Sequence, residues 1–349
     1  MIPFGPVYRQ LRSDMLAVFP EEMTAPGIKG SNFSQWIQNG AYAISGLTPS
    51  RISLQASKQD FGESLRRDIE FLVDSCFEQL LEVLGNAEPS RHSPAWKIVG
   101  CYYYAYFACQ AFSRIVGRPI TFLNDVHVAM IRGLAGVPSS IGVGAYLVRK
   151  LADSSATQAE FEFAKSTSRA HDAVWKSVFH HLDRLRASHE PLPRSTDRAA
   201  VQEFQLLSII TSHHPFTAFV NGGYDWPAEV RYEANYRVGN AYTQLRTPWH
   251  LSPYTEMNAW KNVTFDSALD LGKTSLVEFD SAVSLSSLRT RVRLMLDVAN
   301  FIFAMVRTLQ ADLNARRATD ARWEERRKRF CDRHAVCFAG RESWLFPRP

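Results

Sequence analysis

Residues 96–119 read WKIVGCYYYAYFACQAFSRIVGRP, and the fold class turns on how this run is understood. Ser93 and Pro94 supply a cap and a first-turn proline in front of it, and Gly117 supplies a stop, so the spacing predicts one helix. Trp96, Ile98, Tyr102, Tyr103, Tyr104, Tyr106, Phe107, Phe112 and Ile115 leave it apolar on nearly every side, the pattern of a helix buried at the centre of a fold. Its most apolar part, Ile98 to Phe112, is broken by Gln110 and followed by Arg114, and falls short of the ~20 residues that a membrane span needs.

Upstream, Leu65, Ile69, Leu72, Val73, Cys76, Leu80 and Leu84 follow from Asp60 at helical spacing, with Glu63 placed for a capping box and Gly85-Asn86 as the stop. Downstream, from Thr157 to His189, Phe161, Ala164, Ser168, His171, Trp175, Val178, Leu182 and Leu185 alternate by threes and fours. That narrow seam predicts an inserted helical hairpin or a subunit contact. A polar stretch, Ala187 to Asp197, follows as a loop. A last long helix is predicted from Ser284 to Leu313, with Leu288, Val292, Met295, Ala299, Ile302, Val306 and Leu309 on one face. Residues 215–280 are rich in Gly, Pro and aromatics and predict irregular structure with one or two short strands. The fold expected is therefore mainly α.

The 349 residues are 46% hydrophobic and 12% aromatic, which excludes a disordered chain, collagen or a coiled-coil rod. Residues 315–349 hold ten Lys or Arg against five Asp or Glu, which equals the entire formal excess of +5. A charge-balanced body thus carries one basic extension. Five cysteines are an odd number, three of them in apolar helical stretches, and with no leader-like N-terminus this fits a reduced, cytoplasmic protein.

Tyr103-Tyr104, Ala105, Phe107, Ala108, Ala111 and Gly117, followed by His127 at the opening of the next helix, resemble the HEPN-type helical domains. A second piece of that family pattern is Arg231-Tyr-Glu-Ala-Asn235-Tyr236-Arg237. The resemblance implies a helical bundle with its core in 60–137 and 228–314, an N-terminal extension over 1–59, an insertion over 138–227 and the basic extension over 315–349. It also implies a bacterial antiphage setting, in which such proteins are ribonucleases, toxins or degenerate subunits.

Family ribonucleases pair an Arg, which holds phosphate, with a His four to six residues on, which moves the 2′-hydroxyl proton. No His follows Arg231 at that spacing, and neither Asn235 nor Tyr236 titrates near neutral pH. The expectation is a subunit that binds nucleic acid or a partner protein, as a dimer or hetero-complex, without nuclease chemistry. The nucleic-acid contacts expected are Arg231, Asn235, Tyr236, Arg237, Arg246, Arg326, Arg327 and Lys328, guanidinium and ammonium groups interleaved with rings. Two alternatives stay open. One is a metal-independent endoribonuclease using Arg329 with His334, or Arg231 with a His from elsewhere such as His127; the other is a structural scaffold. The Arg329–His334 spacing also reads as incidental in a basic, solvated helix. Cys331, His334 and Cys337 lack a fourth ligand, so no metal is expected, nor any cofactor or membrane.

Overall fold

The computed structural model describes residues 5–19, 31–85, 94–136, 141–191, 197–211, 226–236, 288–316, 322–341 and 345–347. Its helices are α1 (Pro6–Val18), α2 (Phe33–Asn39), α3 (Lys58–Gly85), α4 (Pro94–Ile115), α5 (Asp125–Ala135), α6 (Ala170–Ser188), α7 (Arg198–Thr211), α8 (Trp226–Tyr236), α9 (Leu288–Arg316), α10 (Arg322–Arg333) and α11 (Ala335–Phe338). Its strands are β1 (Tyr42–Thr48), β2 (Arg51–Ser57), β3 (Ile120–Leu123), β4 (Gly144–Asp153) and β5 (Gln158–Lys165).

The helix expected around Trp96–Pro119 is α4, and it is central. Cys101, Tyr102, Tyr104, Ala105, Ala108, Cys109, Ala111 and Phe112 are all buried, and α4 packs between α3 and α9. The Tyr104 hydroxyl donates to Asn300 Oδ1 of α9 at 2.9 Å, which pairs two buried polar groups. The helix stops where expected: Gly117 takes the left-handed conformation, φ 69°, that a non-glycine residue adopts only at a cost.

The fold is not a mainly α bundle but a mixed α/β structure. The five strands form one antiparallel sheet in the order β1-β2-β5-β4-β3. Two of the expected units dissolve into it. Residues 1–59 are no extension, because β1 and β2 are sheet strands and Tyr8, Leu11, Phe33 and Trp36 are core. Residues 138–227 are no helical insertion, because β4 and β5 lie inside the sheet. Along β5 the side chains alternate: Ala159, Phe161 and Phe163 are buried, and Phe61 of α3 stacks on Phe161 at 4.0 Å. Glu162, on the opposite face, pairs with Arg51 and Arg149. Phe161 and Ala164 therefore belong to a period of two, and the run of threes and fours joins a strand to a separate helix. Within α6 the face is also wider than a seam, since Ala173, Val174 and Phe179 are buried beside Trp175, Val178, Leu182 and Leu185.

The strands expected within 215–280 also need correction at one point, since 226–236 is the helix α8; the rest of that stretch, 215–225 and 237–280, lies outside the described residues. Among the described residues no helix is long and apolar enough to cross a membrane. The described part of the basic stretch, 322–341 and 345–347, is folded against the body. Arg327 of α10 is buried among Glu70 at 2.7 Å, Asp74 at 2.8 Å and Glu324 at 2.8 Å.

Candidate functional site

Three helices bring an arginine, a histidine and three tyrosines together. Helix α8 is held by its buried stripe Trp226, Val230 and Ala234, and by Glu233, whose carboxylate accepts from Arg291 Nη1 of α9 at 3.0 Å. Arg231 is thereby turned toward α4. Its Nη1 donates to the Tyr103 hydroxyl at 3.3 Å, and the guanidinium carbon lies 5.2 Å from the centre of the Tyr102 ring, a cation–π distance. Its Nε is buried without a hydrogen-bond partner.

His171, in the first turn of α6, completes the group. Its ring stacks on Tyr106 with centroids 4.4 Å apart, and its Nδ1 is 2.7 Å from the Tyr102 hydroxyl. Gln110 Nε2 donates to the Tyr106 hydroxyl at 2.8 Å and fixes that ring in turn. Trp175 Nε1 donates to the Tyr102 oxygen at 3.4 Å.

These contacts favour one tautomer. Tyr102 is fully buried, and burial pushes its hydroxyl pKa well up, so it keeps its proton. With Trp175 donating to that oxygen, donation of the hydroxyl proton to His171 Nδ1 is the arrangement that pairs every polar group here. Burial first, and then the Arg231 guanidinium, hold His171 below its ordinary value against the opposing pull of Asp172, so the ring is neutral at pH 7. A neutral ring that accepts at Nδ1 carries its hydrogen on Nε2. His171 thus offers a ligand a donor and no basic lone pair.

Four buried arginines of the described helices are matched by carboxylates. Arg114 pairs with Asp68 at 2.7 Å, Arg307 with Glu324 at 2.8 Å, Arg291 with Glu233, and Arg327 with three carboxylates. Among the described residues no carboxylate pairs with Arg231. Beside it, a groove of about 450 Å³ runs between α3 and α4, within the size range of small-molecule sites. Gly100 leaves its floor open, Gln79, Glu82 and Val83 form one wall, and Trp96, Lys97 and Tyr103 form the other. Trp96 is 66% exposed. Tyr103 belongs to both groove and cluster.

Of the residues singled out in the sequence, Arg231 lies at this site. Asn235, one turn along α8, is half-buried, and Tyr236 ends the helix. Arg237 and Arg246 lie outside the described residues. The histidine beside Arg231 is His171 and not His127. His127 caps α5: its Nδ1 accepts from the Asn124 backbone N–H at 3.1 Å, and its Nε2 lies 2.9 Å from Ser34 Oγ and 3.2 Å from Ser34 O.

The basic extension separates into different roles. Arg327 is unavailable to a nucleic acid, because its charge is spent inside the fold, and Arg326 pairs with Asp74 while stacking on Trp323 at 4.2 Å. Lys328 is exposed at the rim of a second, larger groove between α9 and α10. Arg329, also exposed, pairs with Glu325 at 3.3 Å, whereas His334 rests on Phe330 with ring centres 5.0 Å apart, so each has a different neighbour. Among the described residues no three His, Cys, Asp or Glu stand close enough to hold a metal ion.

Tyr102, Tyr106, His171 and Trp175 read in the sequence as packing residues, and their pattern gives no hint of convergence. The one usable signal was the lone polar His171 on an otherwise apolar face. No protein-family model, curated protein or solved structure matches this chain.

Proposed function

We propose that the chain binds single-stranded nucleic acid, RNA first, at the α4–α6–α8 cluster and the adjoining groove, and that it binds without cleaving. One observation carries the reading: Arg231, in a half-buried ring cluster, has no carboxylate partner among the described residues, and its Nε is buried without a hydrogen-bond partner. An anionic phosphate oxygen over Tyr103 supplies the missing countercharge, accepting from the Arg231 fork and from the His171 Nε2–H. Tyr103 and Trp96 offer ring surfaces for bases along the groove, and Lys97 offers a second cation. The His171 tautomer supports binding over cleavage, because the lone pair that a general base would use is already taken by Tyr102. Five free thiols fit a reducing setting for such a protein.

The test is anisotropy of a labelled single-stranded RNA against the whole chain over a salt series, with the RNA checked for length afterwards. Two phosphate contacts give a slope of log affinity on log salt near roughly −1.4. Arg231→Gln is expected to weaken binding about tenfold, near the ~1.4 kcal/mol of a single charge-assisted contact. Undiminished binding by that variant refutes the site. Shortened RNA, lost again in His171→Gln, refutes binding without cleavage.

A further inference from the structure

We propose that the outer face of α5 is an interface between two copies of this chain, which pack α5 on α5 antiparallel across a two-fold axis. None of the cluster around Arg231 takes part, so the inference does not rest on the nucleic-acid reading.

Helix α5 is apolar on more sides than its own chain covers. Its inner face, His127, Val128 and Ile131, is buried, and the helix lies against α2 and against both edge strands of the sheet, β1 and β3. A surface helix turns a polar face to water on the opposite side. Here that side carries Val126, Ala129, Met130 and Gly133, all exposed, with Leu134 beside them. Val126 is 60% exposed and Leu134 44%. Met130 and Leu134 lean on the stop of α2, where a Cβ on Gly40 would come within 3.1 Å of Met130 Sδ. Gly133 answers to nothing inside the chain: a Cβ there would meet no atom within 4 Å, yet glycine weakens a helix relative to alanine. It leaves room for a side chain arriving from outside.

The face is complementary to itself. The steps from 126 to 129, 129 to 130 and 130 to 133 read the same in both directions. Two such helices set antiparallel therefore place Val126 opposite Gly133 of the second copy, and Met130 opposite its Ala129, large against small at each step.

Charge repeats the match. Asp125 and Arg132 are seven residues apart, about two turns, and lie along one edge of the stripe. A two-fold axis brings that edge against its own reversed copy, so each Asp125 meets the Arg132 of the other chain. Among the described residues neither has an ion-pair partner within its own chain. Arg132 Nη2 donates to Ile141 O at 2.6 Å, which leaves its other N–H groups to a carboxylate. With eleven residues, α5 is about 16 Å long and covers roughly half of the ~800 Å² per partner of a standard interface, so the dimer is expected to dissociate at micromolar concentration.

Sedimentation velocity of the full chain from about 1 to about 200 µM is expected to show a monomer passing into a dimer. Val126→Lys and Gly133→Leu are each expected to weaken association about tenfold or more, and Gly133→Leu to leave the melting temperature of the dilute protein unchanged or raised. Asp125→Arg and Arg132→Glu are each expected to weaken it when alone and to restore it when mixed, because only the mixed pair has opposite charges at both contacts. A second protein or another segment of this chain on the face would leave the purified wild type monomeric throughout, and that result overturns the proposal. So does a dimer that Val126→Lys leaves intact, or a pair of charge variants that mix without associating. Where Arg132→Glu fails to fold, Val126→Lys and Gly133→Leu decide the matter.

Discussion

Replacing Arg327 by methionine tests whether the basic stretch after α9 is part of the fold or a free arm. The methionine keeps most of the aliphatic volume and removes the charge. In the native protein the Arg327 guanidinium donates to Glu70 O, Asp74 and Glu324, and its side chain is 2% exposed. Without it, Glu70, at 5% side-chain exposure, loses its ion-pair partner in the interior while Asp74 keeps only Arg326, a loss on the order of 3–5 kcal/mol. Arg329→Met, two residues along the same helix but 75% exposed, is expected to change stability by less than about 0.5 kcal/mol. Equilibrium urea unfolding, read by tryptophan fluorescence, gives both numbers. A difference between the two variants below about 1 kcal/mol refutes the reasoning.

The same hub predicts an acid limb. Burial pushes Glu324 up, but Arg307 and Arg327 outweigh it and hold the carboxyl down at about 2. A folded value below the ordinary 4.5 means that this stabilisation is complete above about pH 4.5 and is lost as pH falls toward 2, on the order of 3 kcal/mol in all. The advantage of the wild type over Glu324→Gln is expected to shrink across that window. A constant advantage from pH 7 to 2.5 contradicts the assignment.

Further expectations concern single sites. His127→Ala removes the acceptor that caps α5 and is expected to cost about 1–2 kcal/mol while leaving RNA affinity unchanged, read by urea midpoint and anisotropy together. His181, buried neutral with its folded value near 3, makes the protein less stable as pH drops below about 6.5, and His181→Gln is expected to flatten that slope. Gly117→Ala forces a Cβ into the left-handed region and against Val18 Cγ2. It is expected to cost more than about 1 kcal/mol, partly recovered by adding Val18→Ala; full tolerance in a thermal melt speaks against the geometry. Burial holds the Cys76, Cys101 and Cys109 thiols up, Cys101 to about 12, so a thiol reagent at pH 8 is expected to reach Cys337 first in the native protein and all five in urea.

The long helices were legible in the sequence because burial there leaves a periodic trace. The stretch from Asp60 to Gly85 is α3, Ser93-Pro94 to Gly117 is α4 with its stop, and Ser284 to Leu313 is α9 within a few residues of each end. The sheet was missed for a local reason. In β5 the buried run Phe161-Glu162-Phe163 hides the alternation, because Glu162 is buried too, satisfied by arginines from β2 and β4 that no local pattern announces. In β2 the alternation Ile52, Leu54, Ala56 was present but short. The candidate site was half legible: Arg231 stood out by type, whereas His171 reached it only through the packing of α6 on α4, a contact between positions 69 residues apart. Positive charge in the C-terminal stretch misled in the same way, since sequence shows Arg327 but not the three carboxylates around it.

The links that close this fold join its first-made parts to its last-made ones. Glu203 accepts from the backbone N–H groups of Val7 and Tyr8, Asn300 accepts from Tyr104, and Arg327 reaches Glu70 across 257 positions. At roughly 5–20 residues per second of synthesis, Glu70 waits on the order of 10–50 s for its counter-ion. Until then α3 carries two carboxylates toward what will become its interior, and α4 exposes a tyrosine hydroxyl meant for a helix not yet made. A chaperone, or a protease, meets the nascent chain in that interval. The stability of the finished molecule and the vulnerability of the growing one thus trace to the same few side chains.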